Sequence, residues 1–457
     1  MAISPARLIA FDVLLRVAAE GAYAADALRL RRQGAVRQDD AALATELVFG
    51  TLRWQRLLDT LITRHLRKTS SSLELEVWIA LRLGVYQLRF LQRVPAHAAV
   101  HESVELAKRA GKTAAAGLVN AILRRSSEEC RTPAELLLSP EIEGANRLAI
   151  LNSHPTWLVE RWLDRYGPDA ADSLLRANNQ PAHSALAFGP ANHKRTMANL
   201  HADGVAVEKG ALLHGAARVM GGNVERTAAF ASGAISFQDE ASQAIPLLLD
   251  AQPGDSALDL CSAPGGKTAS LARAVAPSGH VIAADIHMHR LRTMRENLER
   301  MVLGNHWLVA LNGEQPLPFH GQFDRILVDA PCSGTGTLAR NPEIRWGLQQ
   351  RDLQALASRQ RNLLLNALKY LKPGGRLVYS TCSLEPEENE AVVTFALKNV
   401  RGLRRVRAGR LRDQLQPFLA PGIDASALIG GDGVFRALPH LHHTDGFFAV
   451  AFDRIPS

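Results

Sequence analysis

Along residues 1–130, apolar positions recur at helical spacing. Leu8, Val13, Leu14 and Val17 form one stripe, and Leu43, Leu47, Leu57, Leu58, Leu61 and Ile62 form others. Residues 74–90 supply another long apolar helix, and 101–125 read as a pair broken near Gly111-Lys112-Thr113. Strand-like alternation is nearly absent, which predicts an all-helical domain. Residues 131–150, punctuated by Thr132-Pro133 and Ser139-Pro140, read as a linker. A helical stretch follows from His154-Pro155-Thr156-Trp157 to about Asn178. Strands at 185–188 and 205–207 then flank a helix near 197–202, so residues 151–235 form a small α/β module.

From residue 236 to 457 the pattern becomes strand, loop, helix. Short apolar runs at 257–260, 281–284, 307–310, 326–328, 377–379 and 447–452 alternate with helical stretches at 268–275, 288–302, 352–371 and 386–399. Such alternation predicts a doubly wound, mostly parallel sheet covered by helices on both faces. The last two strands leave room for an antiparallel edge. The expected fold class is therefore multidomain, α then α/β, ending in a Rossmann-like domain.

A chain of 457 residues is too long for one core. Its 47% apolar and 21% charged residues are ordinary for a globular protein. The 53 basic residues outnumber the 45 acidic ones, giving a net charge of +8, which favours a polyanionic partner. Residues 1–135 hold about twenty Lys/Arg against about fourteen Asp/Glu. Arg predominates over Lys, which suits phosphate contacts, although a GC-rich genome gives the same bias. Arg31-Arg32 and Arg124-Arg125 could form a phosphate-binding face or simply a solvated surface. No apolar stretch is long enough for a membrane span, and Met1 to Arg7 lacks the features of a signal peptide. Four widely spaced cysteines without C-x-x-C argue against a disulfide framework or a zinc site. The expectation is a cytoplasmic monomer that binds no metal and no membrane.

Three of the four cysteines end apolar runs, where open α/β sheets build their sites. Cys261 opens Cys261-Ser262-Ala263-Pro264-Gly265-Gly266-Lys267-Thr268; its glycines permit a tight turn and close approach of a ligand. The run is not a P-loop, because Cys261 stands where Gly is required, and Gly111-Lys112-Thr113 fails likewise, with Leu106 at that position. Asp285 ends the next strand, where a carboxylate can accept both hydroxyls of a ribose. Cys332, in Asp329-Ala330-Pro331-Cys332, and Cys382, in Ser380-Thr381-Cys382, should reach the same sheet edge. Two thiols in one cleft suggest covalent chemistry. Cys261 is expected to be structural and Cys130 incidental.

This set resembles the RNA (cytosine-5) methyltransferases that use S-adenosylmethionine, and the likeness to bacterial members acting on small-subunit (16S) rRNA covers nearly the whole chain. Residues 46–53 and 117–124 are similar to the antitermination-factor-like (NusB-like) helical domain of those enzymes. Phe237-Gln238-Asp239-Glu240, Pro386-Glu387-Glu388-Asn389 and Asp445-Gly446-Phe447-Phe448 are also similar. The resemblance implies that Cys382 is the nucleophile at cytosine C6 and that Cys332 assists the later β-elimination. Asp329 would hydrogen-bond the base and also face the cofactor. The cofactor would be held by Cys261, Ser262, Ala263, Pro264, Gly265, Gly266, Lys267 and Asp285. Where the family commonly has Asp for the adenine amino group, this chain has Asn312, whose amide oxygen can accept the same bond less strongly. Glu314 is the alternative acceptor.

Other readings compete. DNA cytosine-5 methyltransferases need only Pro-Cys, so Ser380-Thr381-Cys382 argues for RNA. Amino-group methyltransferases would place an Asn/Asp-Pro-Pro-Tyr/Phe motif where Asp329-Ala330-Pro331-Cys332 stands. The target could be tRNA or another RNA, or the chain could be a non-catalytic RNA-binding or assembly factor.

Overall fold

The computed structural model describes residues 3–31, 37–66, 73–190 and 193–455. It divides into two compact units, one of Met1–Gln180 with Leu338–Leu348 and one of Pro181–Thr337 with Gln349–Ser457. Arg32, half of one candidate phosphate-binding pair, lies outside the described residues, whereas Arg124 and Arg125 are exposed.

The first unit contains no strand among its described residues. Its main helices are Pro5–Glu20, Gln38–Arg53, Gln55–Thr63, Leu75–Phe90, Ala96–Arg109 and Ala116–Glu129. The first begins where Pro5 fixes a helical φ and ends at Gly21, whose left-handed φ of 66° lets its N–H reach the Val17 carbonyl. Leu14, Leu47, Leu58, Leu81, Leu106 and Leu123 converge in one core. Residues 131–150 carry two short helices, Ala134–Leu137 and Gly144–Leu151, and Thr156–Tyr166 and Pro168–Asn178 follow.

The eleven residues Leu338–Leu348 belong to this helical unit although they stand between strands of the other. Arg345 explains why. Its guanidinium is buried and donates to the carbonyls of Arg53 (3.1 Å), Ser153 (3.0 Å) and Asn178 (2.7 Å) and to the Asn179 amide oxygen (2.8 Å). The Trp346 indole donates to the Leu52 carbonyl at 2.7 Å. These acceptors lie at ends of helices, where carbonyls lack intrahelical partners.

The second unit begins with a four-stranded antiparallel sheet of order β2-β3-β1-β4, formed by β1 (Ser184–Phe188), β2 (Ala206–Lys209), β3 (Ala216–Gly221) and β4 (Ile235–Phe237). It then builds an eight-stranded sheet from β5 (Ser256–Leu260), β6 (His280–Asp285), β7 (His306–Ala310), β8 (Phe323–Asp329), β9 (Leu371–Thr381), β10 (Leu403–Arg405), β11 (Val434–Ala437) and β12 (Phe447–Arg454). The order is β10-β12-β9-β8-β5-β6-β7, with β11 also paired to β12. Strands β5 to β9 are parallel; β10, β11 and β9 each pair β12 antiparallel. The two cores include Leu271 and Val378 in one, Leu258 and Tyr379 in the other. Because β5 neighbours both β6 and β8, the chain reverses its direction of winding at β5, and ligands of such sheets bind outside the carboxyl ends there.

The Arg345 contacts yield a prediction. Arg345→Met removes one buried cation and strands four buried acceptors, so the helical unit should lose about 3 kcal/mol. Calorimetry should show its unfolding shifted down by roughly 6–12 °C. An unshifted transition would mean that Arg345 does not hold this segment.

Candidate active site

The turn after β5 places the expected cofactor loop. Cys261 has φ 71°, and Gly265 has φ 103°, a left-handed conformation that any side chain would strain; a Cβ there would also meet Met294 at 2.8 Å. Ser262 is buried and pinned through its N–H and hydroxyl to the Ala284 carbonyl. The Ala263 N–H donates to Asp285 at 3.3 Å, and the Pro264 carbonyl accepts from Asn297 at 3.4 Å. Gly266 opens the helix Gly266–Val275, so that helix presents its N-terminus at the carboxyl edge of the sheet.

Beside this loop lies a cleft enclosing about 610 Å³, partly open to solvent, lined by Cys261, Asp285, Arg290, Asn312, Glu314 and Pro331 among others. Asp285 is buried, yet among the described residues its carboxylate accepts only from the Ala263 and His287 N–H groups, with Arg290 at 4.0 Å. A carboxylate has about four acceptor positions, so two hydroxyls can still be received. Asn312 accepts the Glu314 N–H at 3.0 Å, while Glu314 holds the Arg359 guanidinium at 2.8 Å. At Gly313 a Cβ would press on Leu363 and Leu260 at 2.8–3.1 Å, so glycine keeps the end of the cleft open. A cleft lined by a carboxylate and an amide fits a nucleoside-containing cofactor. Burial, with Asp285, Asp329 and Asp259 nearby, holds the Cys261 thiol well above its ordinary pKa, so it stays neutral.

Strands β8 and β9 carry the cysteines. They pair in parallel with Asp329 opposite Ser380, and Cys332 and Cys382 follow on adjacent turns. Their sulfurs stand 3.2 Å apart, both half-buried. The hydrogen bond with Cys382, and then burial, raise the pKa of the Cys332 thiol well above the ordinary value. Asp329 lies beside the pair and accepts from Ser380 and from Lys267, each at 2.7 Å. Lys267 thus reaches out of its loop toward the cysteine side, its ammonium 5.1 Å from the centre of the Phe447 ring.

Two carboxylates here have no role in the sequence reading. Asp259 is fully buried beneath the loop, with one oxygen accepting from the Thr268 hydroxyl and the other unpartnered. Burial, reinforced by Asp329 and Asp285 against the Thr268 bond and Lys267, pushes its pKa up to about 7. Glu388 is also fully buried, bound to Ser333 and Ser383. The signal that could have found it is the serine that follows each cysteine of the pair, at 333 and 383.

The chain has counterparts. Residues 246–453 match the family 16S rRNA methyltransferase RsmB/F, residues 4–128 the NusB family, and residues 154–222 the ferredoxin-like domain of RsmF/B-like methyltransferases. The ribosomal RNA small subunit methyltransferase B of Pseudomonas putida is 37% identical, with 88% of this chain and 91% of that protein aligned. The chain belongs to the RsmB/F methyltransferase family. A Bacillus subtilis protein named "Probable ribosomal RNA small subunit methyltransferase B" is 32% identical over 97% of both chains. The crystal structure of a methyltransferase homolog protein from Pyrococcus horikoshii is similar, with TM-score 0.57 and 28% identity, covering 70% of this chain and all of that one. As an RsmB/F member, the protein is an RNA methyltransferase that uses S-adenosylmethionine. Its three parts accord with the expected helical NusB-like, small α/β and Rossmann-like segments.

Asp259 makes the pH dependence of stability testable. Its pKa rises from 3.8 in the unfolded chain to about 7 in the fold, so the folded state binds the proton more tightly. Stability from this group is therefore present at low pH and declines as pH rises from about 4 to about 7. Asp259→Asn removes the titration, so relative to the variant the wild type should lose stability across that window. Denaturant unfolding at several pH values measures this; parallel curves would count against a buried titrating Asp259.

Proposed function

We propose that this RsmB/F enzyme methylates C5 of a cytosine in small-subunit (16S) rRNA through a covalent bond between Cys382 and C6 of the base. The observation that carries the reading is the pair of sulfurs 3.2 Å apart, next to Asp329 and Lys267 at the carboxyl edge of the sheet. The names of its relatives support the substrate.

Cytosine C5 is too weak a nucleophile to take a methyl group unaided. The Cys382 thiolate adds to C6, forming an S–C6 bond and moving electron density onto C5. The cofactor, when bound, supplies an electrophilic methyl group. Asp285 would hold its ribose, Asn312 its adenine amino group, and the turn from Cys261 to Lys267 its remaining polar end. Asp329 hydrogen-bonds the base at its N3 and amino edge, with Lys267 fixing its carboxylate. Once C5 carries the methyl group, a water molecule takes the C5 proton, the C–H electron pair forms the C5=C6 double bond, the S–C6 bond breaks, and Cys382 leaves with its electron pair as a thiolate. Cys332 assists this release, and its raised pKa keeps it a thiol that does not compete with Cys382 for C6. The reaction needs a target base that is unpaired or flipped out and reduced cysteines, which a cytoplasmic setting provides. Much of the rate comes from aligning carbon, methyl and sulfur.

Bisulfite mapping of rRNA from cells lacking the protein tests the substrate; one 16S 5-methylcytosine should disappear. An unchanged rRNA pattern with a lost tRNA site would move the substrate to tRNA. For the cysteines, Cys332→Ala should accumulate a covalent RNA–protein adduct on denaturing gels, and Cys382→Ala should form none. The opposite pair of results would exchange their roles. Asp285→Ala should weaken calorimetric binding of S-adenosylhomocysteine by roughly ten- to a hundredfold, the effect of losing bonds to a charged acceptor; unchanged affinity would remove Asp285 from the cofactor site.

A further inference from the structure

The turn Pro386-Glu387-Glu388-Asn389, between β9 and the helix Glu390–Asn399, has no part in the chemistry above. Glu388 is fully buried, and no Lys or Arg pairs with it among the described residues. Four donors hold its charge. They are the Ser333 N–H at 2.8 Å, the Ser333 hydroxyl, the Ser383 hydroxyl and the Gln360 amide at 2.9 Å. An ionised carboxylate offers about four acceptor positions, so the count of donors matches its two oxygens.

Every one of those bonds bears on a cysteine. Ser333 follows Cys332, and Ser383 follows Cys382. Gln360 also donates to the carbonyl of Pro331, just before Cys332, at 3.0 Å. The neighbouring Asn389 accepts from the Thr381 hydroxyl and donates to the Ser383 carbonyl at 2.8 Å, so it grips Cys382 from both sides. One backbone bond, from the Gly336 N–H to the Cys382 carbonyl at 2.9 Å, ties the turns directly. Nothing else among these contacts joins the two turns through a charge.

We propose that Glu388 is the positioning residue of the thiol pair: one buried anion that fixes the residue after each cysteine and so sets the separation at which Cys382 attacks and Cys332 assists release. This rests on the covalent reading given under Proposed function. The Glu388 charge faces Cys332 as well as holding it. With the hydrogen bond between the two sulfurs and burial it raises the Cys332 pKa, against the Gly334 N–H, which lowers it. Geometry and charge thus act together, and both are lost when the carboxylate becomes an amide. A Gln at 388 has two acceptor positions for four donors and sets its own NH2 against a serine hydroxyl.

The test uses the full-length protein and Glu388→Gln. Methyl transfer to RNA should fall roughly a hundredfold in kcat, the effect of misplacing reacting groups by about an ångström, with KM for RNA little changed. Iodoacetamide alkylation of the RNA-free protein, followed cysteine by cysteine by mass spectrometry, should show the Cys332 pH midpoint moved down. A residue that merely supported the fold would not move that midpoint. Ser383→Ala, which removes one donor and keeps the charge, should lower kcat while leaving the Cys332 profile in place. A folded Glu388→Gln enzyme with wild-type kcat and an unmoved profile overturns the proposal. If Glu388→Gln does not fold, wild-type kcat in both Ser383→Ala and Ser333→Ala overturns it instead. Adducts absent from both Cys332→Ala and Cys382→Ala would sink the covalent reading itself, whereas the alkylation profile needs no turnover and still judges Glu388.

Discussion

The site depends on the parallel register between β8 and β9. Asp329 stands opposite Ser380, and the Ala330 N–H continues the ladder to the Ser380 carbonyl at 2.8 Å. Only then do both strands end at the same height, so that the next few residues of each can turn toward one another. A slip of one residue would send alternate side chains to the opposite face of the sheet. Ser380 would leave Asp329, and the residues after it would turn away from Cys332. The register is secured by apolar side chains on both faces of these central strands, Leu327 and Val378 in one core and Val328 and Tyr379 in the other. Parallel strands buried on both faces have little freedom to shift.

From that register follows the treatment of charge at the sheet edge, where three carboxylates are kept in three ways. Asp329 has a cation, Lys267, and remains partly exposed. Asp259 has a single hydroxyl and sits where burial favours its neutral form. Glu388 has, among the described residues, no cation but four neutral donors. Differences of environment are how similar side chains acquire different tasks. The same holds for the thiols. Cys261 and Cys332 are both shifted up, Cys261 mainly by burial and Cys332 first by its bond to Cys382.

Much of this was legible in the sequence. The helical stripes of residues 1–130 and the six strand-like runs after 236 stand out because each is long or strongly apolar. The cysteines could be brought to one edge by topology alone, since β8 neighbours β5 in a doubly wound order. What escaped has physical reasons. Strand β3 carries Ala-Ala at its start and Gly at its end, β4, β10 and β11 are short, and Leu403-Arg404-Arg405 shows no alternation; they form by pairing with a stronger neighbour. The helix expected from 386 begins at Glu390, because Glu388 and Asn389 spend their side chains on the cysteine turns. Residues 338–348 fall within the 236–457 segment but associate with the helical unit through the Arg345 guanidinium and the Trp346 indole, contacts that no local pattern encodes.

Buried polar groups give this edge its specificity, and the reason lies in how they fail. An apolar contact between two turns tolerates a shift of some tenths of an ångström at little cost, because dispersion varies smoothly with distance. A buried anion with four donors does not, since any donor that drifts away leaves charge unsatisfied in a medium that cannot replace the lost bond. The Glu388 network therefore converts a small displacement of either cysteine into a large penalty. Asn389 does the same for the backbone on both sides of Cys382, with a neutral amide and so less steeply. Two sulfurs in contact need such restraint, because thiols themselves bond weakly and would not hold 3.2 Å unaided. The precision of the pair is thus supplied by buried residues, and it was least visible in the sequence because it is made of ordinary serines, a glutamine and a glutamate.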